Sequence, residues 1–379
     1  MSGWIWIPAV LAAGLLVAEL VCRAMLRRGG YYVWKPGARM RLQIDREALP
    51  RLSPEARFWI NSAGERNLAS PPPDDSDTFR VVVCGGSAVE CYFLDDSESW
   101  GGQLQQRLRR PETLERLGRG DAYVGNIGRS GTGPSEAVAK LLDKIAPRYP
   151  RLDVIGIMIG AADIVNWMRH GCPVPMQPEL TTDEVFLQHP ESPFGWAPKR
   201  TAIYETARRW NSGREETVRE RVGKKLLEVR AMRANAERVK TATPEPTPMV
   251  DRYVSWLRKA IRRGLQIADR VIVIQQPWFG KDWTDAERAQ LWNFAEGYPY
   301  AEHVTTYYSL DVARDLMELL AKEGGRVALE EGAETLDVMP LLEPSLDVFY
   351  DFIHLTSRGS KTLADALHDM ILKPGPKAL

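Results

Sequence analysis

Four short apolar runs, each closed by a glycine or a polar turn, constrain this chain more than any other feature. Phe79–Cys84 (FRVVVC) runs into Gly85-Gly86, and Tyr123–Ile127 runs into Gly128. Val154–Ile159 (VIGIMI) runs into Gly160, and Val271–Ile274 (VIVI) into Gln275-Gln276-Pro277. Runs this short, rich in β-branched residues and bounded by glycine, read as buried strands. Helical segments lie between and after them, around Ser99–Arg109, from near Pro134, and around Ser360–Met370. Proline suits a helix start because the missing N–H needs no partner there. Strands that alternate with helices pair in parallel and are covered on both faces. The pattern therefore predicts an α/β fold, a three-layer αβα arrangement around a central parallel sheet. Ligands bind such sheets beyond the carboxyl ends of the strands, so the loops there are where function is sought.

Composition narrows the class of partner. The 379 residues carry 50 Lys and Arg against 50 Asp and Glu, which argues against a generally basic nucleic-acid binder and against an acidic disordered chain. The length allows two domains or one large domain with insertions. Cys22, Cys84, Cys91 and Cys172 are irregularly spaced and form no C-x-x-C pair, so neither a disulfide scaffold nor a structural zinc site is expected.

The amino terminus reads as a membrane segment. Trp4 to Ala18 holds no charge, and the apolar stretch extends to Leu26 before Arg27-Arg28. As a helix, Trp4–Leu26 would reach about 34 Å, enough for a hydrocarbon core of roughly 30 Å. Glu19 and Arg23 share a helix face at four-residue spacing and can pair near one interface, with Trp4 and Trp6 at the other. A cleaved signal peptide is the weaker reading, since there is no basic leading region and no A-x-A site. A buried soluble helix is the third. Arg23, Arg27, Arg28, Lys35, Arg39 and Arg41 all follow the apolar run, which by the positive-inside rule would place the main domain in the cytoplasm.

Between the third and fourth runs lies a long insertion, from Trp167 to about Met249. Within it, Val218, Val222, Leu226 and Val229 recur at helical spacing, so Glu215–Lys240 is expected to be an amphipathic helix with one buried stripe. Thr241–Pro248 (TATPEPTP) reads as a loop. The implied division is a transmembrane anchor over 1–28, a juxtamembrane segment over 29–78, and a main domain over 79–379 with a helical insertion at about 167–249.

Three loops converge on one chemistry. Gly85-Gly86-Ser87 follows the first strand, and a serine on a sharp glycine-lined turn exposes its hydroxyl beside backbone N–H groups. A plain turn with a capping serine is the bland alternative. Gly128-Arg129-Ser130-Gly131-Thr132-Gly133 lets backbone N–H groups approach an anion, a phosphate or an oxyanion. Its spacing departs from G-x-G-x-x-G, so a dinucleotide site fits poorly. Asp351-Phe352-Ile353-His354 places a carboxylate beside an imidazole able to act as general base. Among the histidines, His170, His189, His303 and His368 lack such company, and no H-x-x-x-H pair suggests a zinc enzyme.

Taken in order, these blocks resemble the SGNH (GDSL-type) hydrolase family of flavodoxin-like fold. The family has a Ser in Gly-Asp-Ser, a Gly, an Asn in Gly-x-Asn-Asp, and Asp-x-x-His. Here the matching positions are Ser87 in Gly85-Gly86-Ser87, Gly131 in Asn126-Ile127-Gly128-Arg129-Ser130-Gly131, Ala162 in Gly160-Ala161-Ala162-Asp163, and Asp351 with His354. His354-Leu355-Thr356-Ser357-Arg358-Gly359 also resembles the family's His block, and Trp59–Arg66 (WINSAGER) resembles a segment of membrane-anchored bacterial members. The resemblance runs from about Phe58 to the carboxyl terminus, apart from the insertion. Two positions depart from the family. Gly86 replaces the scaffold Asp, and Ala162 replaces the oxyanion Asn.

The resemblance implies a serine esterase or acyltransferase. Ser87 is the nucleophile, His354 the base and Asp351 its orienter. Ser87 and Gly131 supply oxyanion N–H groups, and no metal or organic cofactor is required. The substrate class is an acyl ester on a glycan or a lipid; Trp167 and Trp278, after the third block and the fourth strand, are candidate cleft residues, with burial in the core or an interface the commoner place for Trp. Anchored relatives often act on envelope polysaccharides, which favours an extracytoplasmic domain despite the flanking charge, since long folded domains are translocated regardless of it. Ala162 leaves three outcomes open: a slow enzyme, a donor from elsewhere such as Asn166, or a non-catalytic domain that binds an acylated glycan or a partner protein. A phosphate-binding domain built on Gly128–Gly133 lacks a Walker lysine and a ribose-binding acid.

Overall fold

The computed structural model describes residues 6–73, 77–131, 134–149, 151–174, 176–191, 194–211 and 218–375. Trp4, the Thr132-Gly133 end of the second loop and Glu215 lie outside the described residues. The chain opens with α1 (Trp6–Arg27), β1 (Arg39–Ile44) and β2 (Glu55–Trp59). It continues through β3 (Thr78–Gly85), α2 (Ser87–Glu90), α3 (Trp100–Leu108), α4 (Pro111–Leu117), β4 (Asp121–Asn126) and α5 (Ser135–Ile145). Next come β5 (Leu152–Met158), α6 (Ala161–Arg169), α7 (Thr182–Val185), α8 (Ala202–Asn211), β6 (Val218–Val222), α9 (Lys224–Ala234) and β7 (Arg238–Lys240). The last third holds α10 (Thr247–Leu265), β8 (Ala268–Ile274), α11 (Asp285–Arg288), β9 (Thr306–Tyr308), α12 (Leu310–Glu330), β10 (Glu334–Leu336) and α13 (Ser357–Ile371).

The central sheet is parallel throughout, in the order β10-β8-β5-β3-β4. All four apolar runs are strands of this sheet. β3 lies near its middle and is buried along its whole length, which explains the unbroken FRVVVC. The helices α5, α10 and α12 pack together over one face, and α3 packs with α13 over the other. The chain leaves β3 for the edge strand β4, then returns across it to β5. That reversal places the switch point between β3 and β5, where a crevice opens at the strand ends.

The expected helix over Glu215–Lys240 is corrected by the structure. Val218–Val222 is strand β6, parallel to β1 with Met40 opposite Val218 and Ile44 opposite Val222. Gly223, in the left-handed region at φ +104°, ends the strand, and helix begins only at Lys224. Residues at four-residue spacing serve a strand as well as a helix, and the ladder with β1 decides between them. The last third also holds elements beyond those expected: the long helices α10 and α12, the latter capped by the Ser309 hydroxyl and running through Gly324-Gly325, and the short α11, β9 and β10.

The segment before the central sheet joins the main core. Val33, Leu42, Leu49 and Phe58 are fully buried against it. Helix α1 is long and apolar enough to cross a membrane, and Trp6, Val10, Leu11 and Leu15 are exposed. Its last turns dock instead on the rest of the protein. The buried Glu19 carboxylate accepts the backbone N–H groups of Ala202 and Ile203, both at 2.9 Å, at the start of α8. Arg23 donates to Glu19 at 2.7 Å and to the Gly195 carbonyl at 2.9 Å, with its guanidinium over the Trp196 ring.

Candidate active site

Ser87 is aimed by the end of β3. A Cβ on Gly85 would fall 2.2 Å from the Met158 carbonyl oxygen of β5, so only glycine lets the two strands run this close where the turn begins. The turn places Ser87 at the first position of α2, capped by Gly86. Cys91, at φ 52°, then reverses the chain. Arg66 fastens the reversal from outside: its guanidinium donates to the Glu90 carbonyl, to Cys91 O at 2.7 Å and to Leu94 O at 2.6 Å, and pairs with Asp96 at 2.9 Å.

The Asp351–His354 turn is closed by its own carboxylate. Asp351 is fully buried, and its Oδ1 accepts the backbone N–H groups of Ile353 at 2.8 Å and His354 at 2.7 Å. Its Oδ2 lies 2.6 Å from His354 Nδ1, and His354 Nε2 lies 2.7 Å from Ser87 Oγ. A carboxylate only accepts, so Nδ1 carries the proton and Nε2 offers its lone pair to the serine hydroxyl. The Tyr350 ring stacks on the imidazole, with centroids 5.3 Å apart and planes 4° apart, which fixes the ring in that line. The structure thus brings together Ser87, His354 and Asp351 from opposite ends of the sequence.

Gly131 lines the same cavity, with φ +79°. No hydrogen bond of its N–H, or of the Ser87 N–H, occurs among the described residues. The Gly131 loop is held by Glu90, whose Oε2 accepts Ser130 N–H at 2.9 Å and also the Ser130 hydroxyl. Glu90 is fully buried, and that burial pushes its carboxyl up to about 7 against the opposing pull of Ser130 and Arg66. A carboxyl raised above its unfolded value of about 4.3 binds its proton more readily in the folded state. Its contribution to stability is therefore complete below that value and is lost as pH rises to about 7. In Glu90→Gln this loss is absent, so the wild-type melting temperature should fall relative to the variant between about pH 4.5 and 7.5. Thermal scans across that range check it, and parallel curves would refute it.

The third block opens α6. Asp163, pushed up to about 7 by burial, accepts the N–H and hydroxyl of Ser135 and so caps α5. Ala162 faces the cavity with no polar atom on its side chain. Asn166, one turn further on, lines the same wall, as does Asn293 across the cavity. Asn293 Oδ1 accepts the Phe352 N–H at 3.4 Å. Trp167 and Trp278 are buried and do not line the cavity. The aromatic wall is made instead by Trp292, Tyr298, Tyr300 and Tyr350 with Tyr92 and Phe93. Asn293, Tyr298 and Tyr300 carry no local motif, and only the fold brings them to the cavity, while Tyr350 directly precedes Asp351.

The cavity has a volume of about 930 Å³ and contains the Ser87–His354 pair in its wall. Sites for small molecules are typically of this order, about 300–1,000 Å³.

Neither a protein-family model nor a curated protein matches the sequence. Solved structures that superpose on it include Axe2, an acetylxylan esterase from Geobacillus stearothermophilus. It is 12% identical with a TM-score of 0.42, and the match covers 81% of this chain and 100% of that one. LAE5, an α/β hydrolase enzyme from the metagenome of Lake Arreo, is 14% identical at a TM-score of 0.40, covering 78% and 97%. A lipolytic protein of the G-D-S-L family from Veillonella parvula is 10% identical at 0.39, covering 78% and 100%.

Proposed function

We propose that the protein is a serine ester hydrolase, with Ser87 as nucleophile, His354 as general base and Asp351 as its orienter. The observation that carries this reading is the continuous line from Asp351 Oδ2 through the imidazole to Ser87 Oγ, at 2.6 and 2.7 Å, in the wall of a substrate-sized cavity. Ser87 Oγ attacks the ester carbonyl as its proton passes to His354 Nε2. The Asp351 carboxylate stabilises the imidazolium that forms. The tetrahedral oxygen is held by the Ser87 and Gly131 N–H groups, neither of which has another partner among the described residues. As the ester C–O bond breaks, His354 returns the proton to the departing alkoxide. Water, or a sugar hydroxyl in an acyl transfer, then attacks the acyl-enzyme as His354 takes its proton, and the acyl–Oγ bond breaks as His354 returns that proton to Ser87. An acyl group carried on a glycan suits the aromatic wall, because ring faces stack on sugars while hydroxyls and carboxamides hydrogen-bond to them. A module that binds an acylated glycan without cleaving it is the second reading, and Ala162 is the residue that favours it.

Ala162 also offers a test of the oxyanion site. A single donor to an oxyanion is worth about 10²–10³ in rate. With backbone donors only, Ala162→Asn should raise kcat on an acetyl ester by about tenfold or more. An unchanged kcat in a folded variant would mean that another side chain already fills that place.

The helix α1 is proposed as a membrane anchor, with the cavity-bearing domain outside the cytoplasm. Full-length protein in host cells tests the whole reading with a membrane-impermeant fluorophosphonate. The expected result is a labelled band that stays with the membrane after a carbonate wash. It should require Ser87 and appear in intact cells. No label on folded protein from lysed cells would sink the hydrolase. Label only after lysis would sink the orientation, and release by carbonate the anchor.

A further inference from the structure

The face of α6 that begins at Ala162 continues along the cavity wall through Val165, Asn166 and Arg169. At 1.5 Å per residue, Arg169 stands about 10 Å along the helix from Ala162, in the wall of the cavity that also holds Ser87. Its guanidinium lies on the Tyr298 ring, 4.6 Å from the centroid. That ring is fixed in turn. Gly297 N–H donates to the Arg169 carbonyl at 2.9 Å, Tyr298 Oη lies 3.1 Å from His170 Nε2, and His170 Nδ1 lies 2.8 Å from the Asn166 carbonyl.

Arg169 is held in place. Among the described residues its guanidinium makes no ion pair and no hydrogen bond. The carboxylates of the cavity wall are engaged elsewhere. Glu136 pairs with Arg252 and with Lys140 at 2.8 Å, and Glu179 lies 3.4 Å from Lys140. Glu184 accepts the Thr181 N–H and hydroxyl, and Asp163 those of Ser135. A positioned guanidinium offers a planar fork of donors that matches a carboxylate, and a half-buried site strengthens the pairing.

We infer that Arg169 is a specificity-determining residue that selects an acidic glycan, one whose sugar carboxylate sits beyond the ester under attack, about 10 Å along α6 from Ala162. The inference deepens the ester-hydrolase reading and rests on it for the position of the ester. Arg169 recognises the carboxylate, Asn166 faces the sugar between, and the aromatic wall stacks on the rings.

Binding separates this inference from catalysis. Full-length Ser87→Ala protein in detergent is titrated calorimetrically with an O-acetylated oligogalacturonide and with the same oligomer after methyl esterification of its carboxylates. The acid form should bind about tenfold or more tightly than the ester form, the range expected of a charge-assisted hydrogen bond. The preference should shrink at high salt, where the charges are screened. Adding Arg169→Gln should bring the ratio near one, while Arg169→Lys, which keeps the charge and packing length, should retain part of it. Equal binding of both forms by the Arg169 protein would overturn the inference, as would a preference that survives Arg169→Gln. Fluorophosphonate labelling of the wild type reports separately on Ser87. A preference without labelling would leave the acidic-glycan site standing and remove the hydrolase. Labelling without a preference would do the reverse.

Discussion

Ser87→Ala and His354→Ala should each abolish fluorophosphonate labelling and lower ester hydrolysis by about 10⁴-fold or more, and the double variant should be little worse than either. The near-equality is the informative part. The hydroxyl and the imidazole share one proton across 2.7 Å, so neither retains a function without the other. Asp351→Asn should cost on the order of 10⁴ as well, by a different route. The carboxamide can present an N–H to Nδ1 and so turn the imidazole to the wrong tautomer. The opposite rotamer would keep an oxygen toward Nδ1 only by turning the NH2 onto the Ile353 and His354 N–H groups, which Oδ1 accepts in the wild type. A folded His354→Ala protein that still labels at the wild-type rate would remove the relay from the mechanism.

The largest expected effect on stability lies outside the relay. Arg66 is almost wholly buried, and its guanidinium satisfies three backbone carbonyls and the Asp96 carboxylate, with the Phe58 ring packed 4.6 Å away. Arg66→Ala takes one donor from each of those carbonyls, of which Cys91 O keeps the Leu94 N–H at 3.0 Å, and leaves Asp96 with the Trp59 N–H at 3.2 Å but without its charge partner. Breaking such a buried arrangement costs about 3–5 kcal/mol. In a domain of this size that should lower the melting temperature by roughly 6–15 °C. Arg66→Lys should recover little, because one ammonium cannot span the acceptors that the planar fork reaches. The same acceptors form the chain reversal after Ser87, so the labelling rate should fall along with stability. A melting temperature within 2 °C of wild type, roughly the effect of 1 kcal/mol or less, would refute this account.

These two expectations mark what sequence alone reveals and what it hides. β3, β4, β5 and β8 are legible because each is buried on both faces and closes on a turn. β10 is not, since three residues of mixed polarity leave no run to read. Val218, Val222, Leu226 and Val229 satisfy a helical spacing, and the strand at Val218–Val222 exists only because β1 lies beside it. At the site, Ser87, Gly131, Asp351 and His354 stand in short motifs and are visible as such. Asn293 beside Phe352 and Arg169 on Tyr298 are pairings across the fold, and no spacing along the chain encodes them, whereas Tyr350 stands four residues before the imidazole it stacks on. Arg66 stands in a segment noticed only by resemblance. Its work becomes apparent once the carbonyls it serves are located.

The grip of Glu19 and Arg23 on α8 and on the Gly195-Trp196 turn has a mechanical meaning. A chain hung from a bilayer by a flexible leash would sweep its mouth through a hemisphere and meet polymers from any side. A helix bolted at its base to the body it carries is a rigid mount. With α1 in a membrane, the mouth of the cavity would be held at one height and one tilt above the lipid, like a tool fixed to a bench. Anything that enters the cavity would then have to reach it at that height and tilt.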